Sequence, residues 1–138
     1  QLKEAKELSS VWKLFDVTAN DYWNEHFKPD ELCNYQTKNI GRQTMHIIAI
    51  NAIVPVLFAY GKMQGEEAQC QKALAWLQQI PAEKNRVIAP FSNLNAGIKQ
   101  AQDSQALLHL RQQYCDARRC LECAIGNSLF KKNVVSQP

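Results

Sequence analysis

The chain has 138 residues, which is enough for one domain with a single hydrophobic core. Its 46% apolar and 21% charged residues are typical of a folded globular protein and argue against disorder. The formal net charge of +3 is too small to indicate a nucleic-acid-binding protein by itself.

The compartment is indicated by the cysteines and by the start of the chain. The five cysteines are odd in number and unevenly spaced, which favours a reducing compartment over a disulfide framework. No basic segment followed by an apolar stretch and a small-residue cleavage site is visible, and the opening Gln1 in place of Met indicates an excised fragment. We therefore expect a cytoplasmic protein.

The first predicted element is an amphipathic helix over residues 2–15, where apolar residues recur at helical spacing opposite Lys and Glu. A segment rich in turn-forming residues follows it. Within that segment we expect a short helix that carries three aromatic side chains, Tyr22, Trp23 and Phe27.

The longest apolar run covers residues 45–60 and predicts a buried central helix over about residues 40–60. The run is shorter than the roughly 20 residues that span a bilayer, so we expect no membrane association. Pro55 cannot donate a hydrogen bond to the carbonyl of Asn51, which predicts a kink near Pro55. We interpret His46 as a core or interface histidine.

The second half of the chain also predicts helices. Residues 66–80 form an amphipathic pattern with acids in its first turn. Pro90 is expected to end a short helix and to leave residues 91–97 as a loop, and Asp103 or Ser104 is expected to cap the last helix. Because no strand pattern is visible, the predicted fold class is all-α: a single compact domain over residues 1–138 with roughly five to seven helices.

The stretch YCDARRCLEC contains three of the cysteines, Cys115, Cys120 and Cys123. In an unbroken helix Cys120 and Cys123 would lie about 60° apart around the axis and Cys115 about 140° from Cys120, so they could not face one ion. A helix break over residues 116–119 would bring Cys115 round to join the other two.

Three interpretations of this cluster stay open. The thiolates can hold zinc or an iron–sulfur cluster, since plant-type iron–sulfur proteins use the same spacing before a distant fourth cysteine. Arg118 and Arg119 would stabilise nearby thiolates and favour reactive thiols, although no oriented base is identifiable. The thiols can also pack as small apolar residues. The candidates for a fourth metal ligand are Cys33, Cys70, His26, His46 and His109.

The usual catalytic motifs are not visible in the sequence. It contains no phosphate-binding glycine loop, zinc-protease motif or serine-hydrolase motif. Glu25 and His26 are adjacent and would lie on different faces of a helix, so we interpret them as an exposed pair rather than an acid–base pair. We therefore predict no catalytic residue in this chain.

Four segments, in the same order along the chain, carry a resemblance to a known family: DYWNEHF, INAIVPVLFAYGK, IPAEKN and DSQALLHLRQQYCDARRCLECAIGNSLF. The chain resembles the C-terminal portion of domain-of-unknown-function family 2851, an uncharacterised bacterial family typical of Bacteroidetes. The positions that match the family's pattern are Tyr22, Trp23, His26, Asn51, Pro55, Pro81 to Asn85, Cys115, Cys120 and Cys123.

The resemblance implies a partner rather than an activity. Longer members carry a preceding mixed α/β half with acidic motifs that look like those of restriction-endonuclease-like nucleases, and no catalytic position of that half falls in this chain. We therefore expect a non-catalytic helical accessory domain that packs against the preceding half of its own full-length chain.

Two further expectations concern ligands. Basic residues of the accessory domain are candidates for nucleic-acid contact, namely Lys38, Arg42, Arg118 and Arg119. The alternative function is a small zinc, iron–sulfur or redox module built on Cys115, Cys120 and Cys123.

Overall fold

The computed structural model describes residues 2–94 and 96–135. The chain divides into two compact units, Gln1–Ile80 and Pro81–Pro138. Counting the long central helix once, the described residues form seven helices and a two-stranded sheet, which confirms the mostly α-helical fold class. That the two units act as the single domain predicted from the sequence stays a prediction.

The first unit is organised around a long helix and the helix that follows it. Its elements are α1 Leu8–Trp12 with a 3-10 turn Lys13–Phe15, α2 Asp21–Asn24, β1 His26–Lys28, β2 Glu31–Leu32, α3 Arg42–Ile48, a π-helical turn Ala49–Ile53, α4 Val54–Gln64 and α5 Glu67–Gln79.

The first helix is shorter than the apolar pattern of residues 2–15 predicted. It begins at Leu8, because the backbone of Glu7 is extended, with φ −123° and ψ 148°. The Nζ of Lys72 donates to the carbonyl of Lys3 at 2.7 Å and to that of Ala5 at 3.2 Å. This ammonium group thus ties the N-terminal segment to α5.

The β-hairpin was not predicted from the sequence. Its antiparallel strands pair His26 with Leu32 and Lys28 with Glu31, and Asp30 in the turn adopts a left-handed conformation with φ 62°. Aspartate tolerates this conformation better than most residues because its short polar side chain can bond locally. Strands of three and two residues are too short to show the alternation that identifies a strand in sequence.

The irregularity predicted near Pro55 is a π-helical turn. Across Ala49–Ile53 the helix is wound more loosely, and the N–H of Val54 donates to the carbonyl of Ala49, five residues back. The side chain of Asn51 donates through Nδ2 to the carbonyl of Ile47 at 3.0 Å. A π turn is a common way to accommodate a residue that cannot join the α-helical ladder.

The central helix is buried along one face and not on all sides as its composition predicted. Its buried residues are Ala49, Ile50, Ile53, Val54, Leu57 and Gly61. As one continuous helix, Arg42–Gln64 has 23 residues and contains an 18-residue window with a mean hydropathy of 1.6, and among the described helices it alone is long and apolar enough to cross a membrane. The helix is therefore longer than the apolar run of residues 45–60, and its length does not exclude a membrane span as the sequence analysis predicted. Core helices of soluble proteins share these properties.

A close helical hairpin joins α4 to α5. Gly65 ends α4 in the left-handed conformation, and the N–H of Glu66 donates to the carbonyl of Gly61 at 2.8 Å, which is the pattern of a Schellman cap. The Sγ of Cys70 lies against the same turn, where a Cβ added to Gly61 would stand 2.7 Å from it. Cys70 is 1% exposed, so α4 and α5 meet here without space for a side chain.

The second unit is built from three helices and the segments between them. Its elements are α6 Ala89–Asn93, α7 Ala101–Leu110, a π-helical turn Arg111–Cys115 and α8 Ala124–Val135. An isolated bridge pairs Pro81 with Gln100.

Two boundaries in this unit differ from their predictions. Of residues 91–97, which were predicted as a loop, residues 91–93 belong to α6 and residue 95 lies outside the described residues. The helix continues past Pro90 because this residue occupies its first turn, where the missing N–H costs nothing. The helix α7 begins earlier than predicted, with Gln100 as its cap. Asp103 lies in its first turn and accepts the N–H groups of Lys99 and Gln100, each at 3.0 Å.

We expect Gly61→Ala to destabilise the first unit by about 1–3 kcal/mol, because the added methyl group would overlap Cys70 Sγ and approach two backbone atoms at 3.0 Å. Urea denaturation followed by circular dichroism measures this change. Ala59→Ser, on the exposed side of the same helix, is the control and should stay within about 0.5 kcal/mol of the parent. Equal effects of the two substitutions would contradict the close packing.

We also expect the first unit to lose stability as the pH falls from 7 to 5. Partial burial of the His46 ring, and then the charge of Arg42, lower the pKa of His46 below its ordinary 6.5. The unfolded chain therefore binds this proton first, and the contribution of His46 is lost as the pH falls from 6.5 through the lower folded pKa. The loss is below about 1 kcal/mol, since solvent screens the partly exposed ring.

The measurement is urea denaturation at several pH values for the parent and for His46→Gln. The variant should lose less stability between pH 7 and pH 5 than the parent does, whatever its absolute stability. Parallel pH profiles of the two proteins would show that His46 does not titrate in this way.

Candidate functional site: the cysteine pocket

The three clustered cysteines lie where the helix pattern of the second unit is interrupted. Cys115 closes the π-helical turn that continues α7, and Arg118 adopts a left-handed conformation with φ 54°. The N–H of Arg118 donates to the carbonyl of Cys115 at 3.1 Å, and that of Arg119 to the carbonyl of Tyr114 at 2.8 Å. The helix break over residues 116–119 that a shared site requires is thus present.

The second and third cysteines form a tight turn. The N–H of Cys123 donates to the carbonyl of Cys120 at 3.3 Å, and α8 begins at the next residue, Ala124. Gly126, in the first turn of α8, lies against the backbone of Cys120: a Cβ built on it would stand 2.3 Å from the Cys120 carbonyl oxygen. Only glycine fits this position, so the turn is held against α8.

All three cysteines line one apolar pocket of about 350 Å³. Cys115 and Cys120 are exposed, while Cys123 is 8% exposed. The rest of the pocket wall comes from α6, α7 and α8 and the residues next to them. Its apolar residues include Phe91, Leu94, Leu107, Leu110, Ile125 and Leu129. The pocket thus offers thiols and hydrocarbon, with the ring of Tyr114 at one side.

Two of the three arginines beside the cysteines are paired with carboxylates. Arg111 pairs with Asp116 through Nε and Oδ1 at 2.5 Å, and Arg119 pairs with Glu122. Hydrogen bonds and charge attraction from these acids raise the pKa of each guanidinium further above its usual range. Arg119 also lies over the ring of Tyr114, 5.4 Å from its centroid. Local acids thus offset the positive charge of the stretch.

Three of the five metal-ligand candidates outside the stretch, Cys70, His46 and His109, make other contacts. Within the part of the chain that the structure describes, no group of three or more His, Cys, Asp or Glu side chains is placed to hold a metal ion. Cys70 is buried and donates to the carbonyl of Phe58 at 3.6 Å. His46 lies 5.4 Å from Trp12 between ring centroids, and His109 lies edge-on to Tyr114 at 6.3 Å. Metal binding by the three clustered cysteines stays a prediction.

The basic residues predicted to contact nucleic acid differ in their availability. The Nζ of Lys38 is buried over the ring of Phe27, 3.4 Å from its centroid, with no hydrogen-bond acceptor among the described residues. Arg42 and Arg118 are exposed. Because the ammonium group of Lys38 is covered, it cannot reach a phosphate in this conformation. Nucleic-acid contact stays a prediction.

Structural roles account for two further motifs that the sequence singled out. Tyr22 stacks on His26 with ring centroids 4.0 Å apart, and its hydroxyl accepts the N–H of Asp30 at 3.0 Å, which fixes the hairpin turn. In the segment Pro81 to Asn85, the Oδ1 of Asn85 accepts the N–H groups of Val87 and Ile88 at 3.0 and 2.9 Å. Both motifs stabilise loops.

The apolar wall of the pocket was missed in the sequence analysis. Part of its signal was the four-residue spacing of Ile125 and Leu129, which follow soon after Cys123. That spacing predicts a helix with one apolar face, but it does not show what the face meets.

Comparison with known proteins identifies a family. A profile of the family described as "Protein of unknown function (DUF2851)" matches residues 1–86, and the cysteine stretch lies outside the matched residues. Comparison with curated proteins and with solved structures gave no match. Because the match covers 86 of the 138 residues, the chain belongs to the DUF2851 family of proteins of unknown function.

Proposed function

We propose that this chain is a non-catalytic helical accessory domain of a larger cytoplasmic protein, whose central helix packs against the preceding half of the full-length chain. The observation that carries the proposal is an apolar stripe on the exposed side of the central helix. This outer stripe consists of Ala52, Val56, Ala59 and Met63.

The outer stripe has the spacing of a helix-packing surface. Its members are separated by four, three and four residues, so they follow one side of the helix. Val56 is 62% exposed and Met63 is 82% exposed, although both are large and apolar. Two alanines alternate with them and let a partner backbone come close. A continuous exposed stripe of this kind indicates a surface that another element covers.

A protein partner suits this surface better than a bilayer does. The opposite face of the same helix packs on α5, which carries Glu67, Gln71 and Lys72 in two turns. Insertion of α4 would bring those polar side chains towards hydrocarbon, where a charged side chain costs about 2.5–3.5 kcal/mol. A folded protein surface can cover the outer stripe and leave α5 in water.

The covering element we propose is the preceding half that the family resemblance implies. Nucleic-acid contact is a lesser part of the proposal, because Lys38 is buried and Arg119 is paired with Glu122. Arg42 and Arg118 are the basic residues left for that role.

Peroxide oxidation of the two methionines tests the proposal. In the 138-residue chain we expect Met63 to be oxidised faster than the half-buried Met45, because exposure controls access of peroxide to the thioether. In the full-length protein, oxidation of Met63 should slow by about tenfold or more relative to Met45. Mass spectrometry of the separate peptides measures both rates.

A matched substitution strengthens this test. Val56→Lys should leave the stability of the 138-residue chain within about 0.5 kcal/mol, because the side chain is exposed. In the full-length protein it should restore the rapid oxidation of Met63. Equal rates of Met63 oxidation in the 138-residue chain and in the full-length protein would contradict the proposal. If Met63 is protected only when lipid vesicles are added, a membrane and not a protein surface covers the outer stripe.

A zinc or iron–sulfur module is the second candidate function, favoured by the position of Cys115, Cys120 and Cys123 around one pocket. Elemental analysis with an absorption spectrum, on protein purified without oxygen and without an affinity metal, tests it. We expect one metal centre per chain that is lost in Cys120→Ser and kept in Ser128→Ala, which changes an exposed residue of α8 that is not a candidate ligand. Protein that stays folded with no bound metal would exclude this candidate.

A further inference from the structure

The backbone turn at Cys120–Cys123 is compatible with a disulfide bond between these two residues. The N–H of Cys123 bonds to the carbonyl of Cys120, three residues back, which defines a hydrogen-bonded β-turn. The two Cα atoms of such a turn lie less than about 7 Å apart, and a disulfide requires about 4.4–6.8 Å. The backbone of the reduced protein therefore already brings these residues within bonding range.

Both residues border the same space. Cys120 and Cys123 both line the apolar pocket of the second unit. Cys120 is exposed and Cys123 is 8% exposed. One thiol is thus open to a reagent from solution and the other is sheltered next to it.

The turn is also held in place by contacts with the start of α8. Gly126 lies against the Cys120 carbonyl, and the N–H of Asn127 donates to the carbonyl of Cys123 at 2.8 Å. Both ends of the turn are therefore attached to the first turn of α8. A preorganised pair favours the intramolecular disulfide over two separate mixed disulfides, because little chain entropy is lost on closure.

We propose that Cys120 and Cys123 form a redox-active dithiol that closes to an intramolecular disulfide by exchange with a low-molecular-weight disulfide such as oxidised glutathione. This role is separate from the accessory function and from metal binding.

The exchange proceeds in two balanced steps. The exposed Cys120 thiolate attacks one sulfur of the glutathione disulfide, which forms a mixed disulfide and releases one glutathione thiolate. The Cys123 thiolate then attacks the Cys120 sulfur and releases the second. Two protein thiols are oxidised, one disulfide is reduced to two thiols, and the two protons from the cysteines pass through solvent to the glutathione thiolates.

The test equilibrates the metal-free 138-residue protein with graded ratios of reduced and oxidised glutathione, followed by acid quenching, alkylation and trypsin digestion. Cleavage after Arg118 and Arg119 separates Cys115 from the peptide 120–131, which contains Cys120 and Cys123. An internal disulfide makes that peptide lighter by two hydrogens and unreactive to the alkylating reagent. A bond to Cys115 instead links two peptides.

We expect the internal disulfide to form at least about tenfold more favourably in the native protein than in the guanidinium-unfolded chain. Cys115→Ser should change its yield by less than about twofold, whereas Cys123→Ser should stop at the mixed disulfide. Mixed disulfides alone in the parent protein, a bond from Cys120 to Cys115, or equal yields in the native and unfolded chains would each overturn the proposal.

Gly126→Ala provides a further check, because its methyl group cannot fit beside the Cys120 carbonyl. If the variant remains folded, its internal disulfide should form little more favourably in the native protein than in the unfolded chain, so that the native advantage, the ratio of the two, falls towards one. If the variant unfolds, Ala124→Gly serves in its place: it leaves room beside Cys120, and the native advantage should then persist.

Discussion

The missing amide hydrogen of Pro55 is the constraint on which the first unit depends. A regular α-helix cannot continue through this residue, and the chain responds with a π-helical turn in which Val54 bonds five residues back to Ala49. In a regular α-helix, side chains four residues apart are rotated by about 40° around the helix axis. A π-helical turn has more residues per turn, so it removes part of this rotation. The helix therefore keeps one buried line that ends opposite Cys70. That line is Ala49, Ile53, Leu57 and Gly61.

The sequence predicted the elements that depend on local apolar periodicity and missed those set by single side-chain contacts. The central helix, its irregularity near Pro55 and the following helix were predicted because apolar periodicity and proline chemistry act locally. The β-hairpin depends on Tyr22 holding the N–H of Asp30, and the start of α7 depends on Asp103 reaching back to the Gln100 N–H. Such contacts form only once the chain has folded.

Sequence analysis identified the residues of the candidate site but not its surroundings. The spacing of Cys115, Cys120 and Cys123 showed that a break was needed for a shared site, and the break is present at Arg118. Composition could not show that apolar residues of three helices line a pocket together with the cysteines, or that acids pair with Arg111 and Arg119. The exposed face of the central helix was missed for the same reason, since burial is decided by which elements pack together.

The contact between Gly126 and the Cys120 carbonyl translates into a sequence fingerprint, C-x-x-C-x-x-G, at the start of a helix. In related chains the presence of this glycine should depend on whether the backbone turn is kept, and not on whether the cysteines are kept. A relative that keeps the glycine but replaces a cysteine would retain the turn and lose its chemistry. A relative that keeps both cysteines but carries a larger residue in place of the glycine would have to place its thiols differently.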